Sequence, residues 1–299
     1  ITSSKYLEKS VDSPANIHVI TAKQINDRGY KNIEDLLRNL SGVDIQEYAV
    51  VGNYNVVTMR GAKNNNKFII LKDGVRISTP AGEINAISEN YPLYLAKRVE
   101  ILIGPASVNY GADAFAGVIN IITFASDDEK QTNISLSVGG DNYLNGHTIY
   151  SKVFSNGIYI NAGIQGHYSQ DYTFDKDYPE LYSDINKNYS FKNTNNFQFF
   201  SDARINKHFS AGIFHSKIIY SSDFTAKPSF SSFNNSFFEE SSTSIYANVD
   251  YDFSDKIFSK TLFTYQLFTL GNATNFNNLF TGFIKQYKYG RTARYSINQ

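Results

Sequence analysis

Side chains that could do chemistry are scattered along this 299-residue chain rather than gathered. The histidines His18, His147, His167, His208 and His215 show no ligand spacing such as H-E-x-x-H on a helix. Each is read as an isolated histidine, with haem or zinc ligation by one of them the weaker reading. Asp171, Asp175, Asp177 and Asp184 lie in and beside the loop FDKDYPELYSD at 174–184. Oxygen-rich loops can hold calcium, but this spacing matches no EF-hand, and a solvated loop is the reading adopted. GPASVNYG at 104–111 lacks the Lys-Ser/Thr of a phosphate loop, and no G-x-S-x-G elbow is present. The chain has no cysteine, which removes disulfides, thiolate metal sites and cysteine nucleophiles. Catalysis, a cofactor and a resident metal are therefore not expected.

What is left is binding, and the elements that could position it centre on 98–124, RVEILIGPASVNYGADAFAGVINIITF. Two β-rich apolar runs bracket a connection punctuated by Gly104, Pro105, Gly111 and Gly117. The small residues Ala106, Ser107, Ala112, Ala114 and Ala116 allow close backbone packing. Upstream, the pattern is that of a small α+β unit of roughly 110 residues, enough for one small core. A strand is expected at 17–20. Thr21 with Gln24 forms a capping box that opens a short helix, and Gly29 lies just past its end. Ile33, Leu36, Leu37 and Leu40 share one helical face, with Gly42 where a C′ glycine belongs. Strands follow at 43–45, 56–59, 68–71 and 75–77, the last two joined at Asp73-Gly74, a hairpin signal. Polar loops are expected at 48–54, 63–66 and 80–90, and Pro92 is expected to open one helical turn before Lys97.

Beyond Ala125 the texture changes. After a charged link at 126–130 come segments of about ten residues with period-2 patterning. Ile158, Ile160, Ala162 and Ile164 oppose Tyr159, Asn161, Gln165 and His167. Ile245, Ala247, Val249, Tyr251 and Phe253 oppose Tyr246, Asn248, Asp250 and Asp252. Phe197, Phe199, Ala203 and Ile205 oppose Gln198, Asp202 and Arg204. Short turns at 155–157, 206–207 and 254–256 alternate with long polar loops at about 169–194, 222–240 and 271–280. Alternating strands with short turns at one end and long loops at the other are the signature of an outer-membrane barrel. A soluble β-sandwich or propeller is the alternative, against which stand strands longer than the roughly five to six residues usual in soluble sheets.

Composition fits. No window approaches the roughly 20 apolar residues of a membrane-spanning helix, which says nothing against a barrel. Tyr 22 and Phe 23 stand beside Trp 0 and Met 1. The formal net charge is zero, from 28 basic and 28 acidic residues, so nucleic acid is not an expected partner. The lack of cysteine suits a periplasm or cell surface.

Three blocks, in order, carry a resemblance: Thr58-Met59-Arg60-Gly61, FIILKDGVRI at 68–77 and RVEILIGPASVNYGADAFAGVINIIT at 98–123. Together they resemble the plug of TonB-dependent outer-membrane receptors. The resemblance implies an α+β plug domain inside an antiparallel transmembrane β-barrel of the 22-stranded type. About 175 residues follow the plug, room for about eight strands, so part of a longer receptor is expected. The implied organisation is an N-terminal arm near the TonB box at 1–16, a plug at 17–125 and an incomplete barrel at 126–299.

The resemblance also implies roles. The function is energy-coupled uptake of a scarce nutrient across the bacterial outer membrane, with a ferric siderophore the leading cargo and cobalamin or haem the alternatives. A non-transporting surface adhesin or signalling receptor is the rival. Partners are periplasmic TonB with its inner-membrane energising complex, a metal-chelate ligand and outer-membrane lipid. Ile1 and Thr2, similar to the tail of the TonB box, are the coupling residues. Ligand contacts fall to the plug loops, at Tyr48, Asn53, Tyr54, Lys63, Asn64, Gly82 and Glu83, whose aromatic and polar groups suit a large polar chelate. Arg60 belongs to the lock between plug and barrel. The family's second lock arginine is replaced here by Ile103, before Gly104-Pro105. Gly139-Gly140-Asp141-Asn142-Tyr143 is somewhat similar to cobalamin receptors.

Overall fold

The computed structural model describes residues 16–46, 55–79, 87, 91–111, 113–123, 131–140, 142–169, 194–221, 237–254, 257–271, 276–278, 283–285 and 291–298. Two sheets dominate, one inside the curve of the other.

The inner unit begins with β1 (Asn16–Thr21), which runs into α1 (Ala22–Arg28). The capping box forms: Thr21 and Gln24 exchange side chain–backbone bonds, and Gly29 ends the helix in the left-handed region at φ 69°. Next, α2 (Ile33–Leu37) buries Ile33, Leu36 and Leu37 as its spacing demands. It stops at Leu37, so Gly42 (φ 81°) caps a later turn rather than the helix itself. β2 (Val43–Gln46), β3 (Val56–Met59) and β4 (Ala62–Lys63) make a small three-stranded sheet. β5 (Phe68–Lys72) and β6 (Val75–Arg76) form the hairpin that Asp73-Gly74 announces. Both turn residues have positive φ, 48° and 82°, the geometry of a type I′ turn.

The central stretch becomes β7 (Ala96–Ile103), the helical turn α3 (Ser107–Tyr110) and β8 (Gly117–Thr123). With β1, β5 and β6 they build a five-stranded sheet in the order β1-β7-β8-β5-β6, in which only β5 and β8 run parallel. Gly117 is glycine because a Cβ there would lie 2.4 Å from the Leu102 carbonyl oxygen. The small-residue segment packs as expected, with Ala106, Ala114 and Ala116 buried.

One expectation is corrected here and one is refined. Pro92 opens no helix: it bridges to Asn32, Leu93 N donates to Lys31 O, and a turn leads straight into β7, which contains Lys97. The polar loop expected at 63–66 forms, beginning once β4 ends at Lys63, but it is not solvated throughout. Asn65 is fully buried, accepting from Val57 N at 2.7 Å and donating to Asn55 O at 2.7 Å, so it splints β3 from inside.

The outer sheet has eight strands, all antiparallel to their neighbours: β9 (Gln131–Val138), β10 (Leu144–Val153), β11 (Tyr159–Ser169), β12 (Thr194–Asn206), β13 (Phe209–Ser221), β14 (Phe237–Ser254), β15 (Ile257–Leu270) and β18 (Arg291–Asn298). β16 (Phe276–Asn278) and β17 (Phe283–Lys285) pair as a ribbon inside the connection from β15 to β18. β14 starts at Phe237, so it absorbs the end of the loop expected at 222–240. The turn expected at 206–207 lies one residue later, where the Asn206 side chain accepts from the backbone of His208 and Phe209.

Candidate functional site

The outer sheet is inverted relative to a soluble one. Its concave wall buries Asn145, Ser151, Asn161, Gln165, Gln198, Ser242, Ser244 and Gln266 against the inner unit. Its convex face exposes Ile134 (80%), Leu136 (71%), Val138 (76%), Ile164 (45%), Ile245 (48%) and Phe253 (66%). A sandwich buries the apolar face of each strand and wets the polar one. A membrane barrel does the reverse. On β11 the face of Tyr159, Asn161, Gln165 and His167 points inward and Ile164 points out.

The seam between the two units is where the geometry is most specific. At the tip of the β5–β6 hairpin the Lys72 side chain is 6% exposed, with Nζ 3.1 Å from a carboxylate oxygen of Asp73 and 3.1 Å from one of Asp202 on β12. The ammonium also lies 4.1 Å from the centre of the Phe200 ring. Burial pushes the Lys72 pKa down, but the charges and hydrogen bonds of Asp73 and Asp202 outweigh it, leaving the pKa above the ordinary lysine value.

Asp73 is held in turn. Thr123 N and Thr123 Oγ1 donate to its two oxygens at 2.8 and 2.7 Å. Asn161 Nδ2 reaches Thr123 Oγ1 at 3.3 Å, and Ser151 Oγ donates to Asn161 Oδ1 at 2.8 Å. The chain of contacts thus runs from β10 through the inner unit to β12.

Further along, Ser244 Oγ donates to Arg76 O at 3.2 Å and Gln266 Nε2 to Ser78 O at 2.8 Å. Between these polar contacts Phe200, Phe214 and Ile149 join one apolar cluster with Ile77, Leu95 and Ile121 of the inner unit. Gly163 makes room: a Cβ there would lie 2.5 Å from the Phe200 ring and 3.1 Å from Leu95. Near the first hairpin, Tyr94 stacks on His147 at 4.9 Å, and Lys31 lies 5.0 Å from the Tyr143 ring centre. Burial and the Glu240 carboxylate push the Tyr91 phenol up.

Of the residues singled out from sequence, Lys63 is exposed and Asn64 half-buried. Lys63 ends β4 and Asn64 follows it at φ 109°, and neither is among the seam contacts named above. Arg60 occupies the Arg60-Gly61 turn at φ 46°, exposed. Its Nη1 lies 3.6 Å from where a Gly104 Cβ would be, and Ile103 is buried. Ile1, Thr2, Tyr48, Asn53, Tyr54, Gly82 and Glu83, with the acidic loop at 174–184, lie outside the described residues. Sequence reasoning missed Lys72, Thr123, Asn161, Asp202 and Gln266. For Lys72 a signal existed: a lone cation ends the apolar run FIIL immediately before the Asp-Gly turn. Among the described residues no three His, Asp or Glu side chains gather as for a metal ion.

A polar wall curved around a folded α+β unit is the arrangement of a plugged barrel. The family profile TonB-dependent Receptor Plug Domain matches residues 9–118. The vitamin B12 transporter BtuB of Vibrio vulnificus is 30% identical over 203 residues, 68% of this chain and 32% of the transporter. The chain belongs to the TonB-dependent receptors. Its inner unit is a receptor plug and its outer sheet part of the barrel. Among solved structures, the Pseudomonas aeruginosa receptor FpvA, bound to a ferric pyoverdine, matches with TM-score 0.69 at 16% identity, covering 90% of this chain and 36% of FpvA. The ferric-catecholate import receptor Fiu of E. coli matches with TM-score 0.65 at 17% identity, over 96% of this chain and 42% of Fiu. At those identities the likeness is one of fold. The chain spans about a third of the length of BtuB. The family consists of transporters and receptors, which are not enzymes.

Proposed function

We propose that this chain is the plug and first barrel strands of an outer-membrane receptor that binds a metal chelate outside the cell and imports it, driven by TonB. The observation that supports this best is the seating of a folded plug on the polar inner wall of an apolar-faced barrel. A wide barrel without a plug would be an open aqueous channel, so such a plug serves to seal the membrane and to open on demand. No energy source lies in the outer membrane, so the opening force must come from the periplasm. In this reading residues 1–16 form the arm that TonB grips, through Ile1 and Thr2, residues 17–125 the plug and 126–299 the barrel portion. Tyr48, Asn53, Tyr54, Lys63, Asn64, Gly82 and Glu83 face the chelate. Arg60 completes the lock against barrel strands beyond those described.

A ferric siderophore is the first reading of the cargo, supported by the fold likeness to FpvA in its ferric pyoverdine complex and to the ferric-catecholate import receptor Fiu. Cobalamin is the second, favoured by the sequence relationship to a vitamin B12 transporter. Elemental analysis of the full-length receptor from its own outer membrane separates them. Near-stoichiometric iron supports the first and cobalt the second. A receptor that binds neither iron chelates nor corrinoids when titrated with each would overturn the metal-chelate reading.

A further inference from the structure

We propose that Lys72 is a shared-cation latch, tying the plug hairpin to barrel strand β12 through Asp202 while keeping Asp73 as a partner that travels with it. The inference concerns how the plug is held and needs no assumption about cargo or energy source.

The geometry carries it. One ammonium stands at equal distance, 3.1 Å, from two carboxylates, one on its own hairpin and one on the barrel wall. The two ends of the barrel contact are 130 positions apart in sequence. Asp202 lies in a notch over Gly212 on β13: a Cβ there would come within 2.6 Å of Asp202 Oδ1 and 2.5 Å of Tyr246 Oη, so a larger residue would push both side chains from where they stand. Phe200, also on β12, closes over the cation. The barrel wall thus offers Lys72 both an anion and an aromatic face.

Asp73 cannot follow Asp202, because Thr123 on β8 clasps both of its oxygens. When the hairpin moves off the wall, Asp73 and Thr123 leave with it and Lys72 keeps a counter-charge. Asp202 is left facing the lumen, where water replaces its partner. Removing one member of a buried one-to-one pair strands a charge and is strongly unfavourable. Sharing the cation avoids that on the plug side. The contact therefore fixes the position of the plug at rest and still lets go. Lys72 is a positioning residue, and the two carboxylates have opposite effects: Asp202 holds the closed state, and Asp73 competes for the cation and eases release.

The test is amide hydrogen exchange on the full-length receptor in detergent micelles, comparing peptides over 68–79 with barrel peptides over 209–221. Asp202→Asn is expected to speed exchange of the hairpin by at least ~10-fold while the barrel peptides stay at wild-type rates. Asp73→Asn, which keeps an acceptor for Thr123 and tolerates positive φ, is expected to leave hairpin exchange at or below the wild-type rate. Lys72→Gln combined with Asp202→Asn is expected to match Asp202→Asn alone within about twofold, since the two residues act as one unit. The proposal fails if Asp202→Asn changes hairpin exchange by less than about twofold, or if Asp73→Asn loosens the hairpin as much as Asp202→Asn does. Should Asp202→Asn disturb β13 itself, Lys72→Gln alone must loosen the hairpin with the barrel intact, and its failure to do so overturns the latch.

Discussion

Gln266, on barrel strand β15, donates from Nε2 to the carbonyl of Ser78 in the plug at 2.8 Å, joining residues 188 positions apart. Both residues are buried. Gln266→Leu keeps the bulk but leaves the buried Ser78 carbonyl without this donor, a loss of about 1–3 kcal/mol. The urea midpoint for plug unfolding in the full-length receptor should fall, while heat-resistant migration of the barrel on electrophoresis persists. An unchanged plug midpoint would show that the seam does not depend on this bond.

Inside the plug, Gly117 is the position least able to accept a side chain. An added Cβ would meet Leu102 O at 2.4 Å and the Met59 sulfur at 3.1 Å. The first is backbone in the β7–β8 ladder and cannot swing aside. Gly117→Ala should therefore cost the plug about 1–3 kcal/mol by overpacking. Gly166→Ala, with nothing within 4 Å of the new methyl group, should stay within about 0.5 kcal/mol of wild type. Equal thermal stability of the two variants would contradict the packing account.

The inverted outer sheet makes a prediction that a soluble sheet would not. Ile164 is 45% exposed on the convex face of β11. On a soluble sandwich Ile164→Arg would be close to neutral, as most surface changes are. On a lipid-facing barrel strand, with Ile164 midway along β11, it should cost about 2–4 kcal/mol. Refolding of the full-length receptor into phospholipid vesicles, followed against urea, distinguishes these outcomes. A neutral result would remove the bilayer from the convex face.

Much of this fold is legible in the sequence because it is built from local signals. The capping box at Thr21 and Gln24, the Asp73-Gly74 turn and the alternation on β11 and β14 each act within a few residues, and each appears as read. The misreadings are places where a tertiary partner overrides local preference. Pro92 is drawn into a bridge with Asn32 instead of opening a helix. Asn65, polar and in a loop-like run, is buried because two backbone groups of the plug need its amide. The seam is the extreme case. Lys72 and Asp202 meet only after the plug has folded and β12 has curved around it, so neither carries a pattern that marks its partner. Alternation reveals that Asp202 and Gln198 share a face of β12. It does not reveal that this face looks onto a plug rather than onto water.

Energy coupling through the N-terminal arm is the central claim, and one comparison tests it most directly. In the full-length receptor, residues 1–10 are deleted, and binding and cellular uptake of the metal chelate identified with the purified protein are measured side by side. The account predicts wild-type affinity with uptake abolished, because the site and the seam are intact and only the handle is gone. Uptake that survives the deletion would contradict it, and coupling would have to run through another part of the receptor.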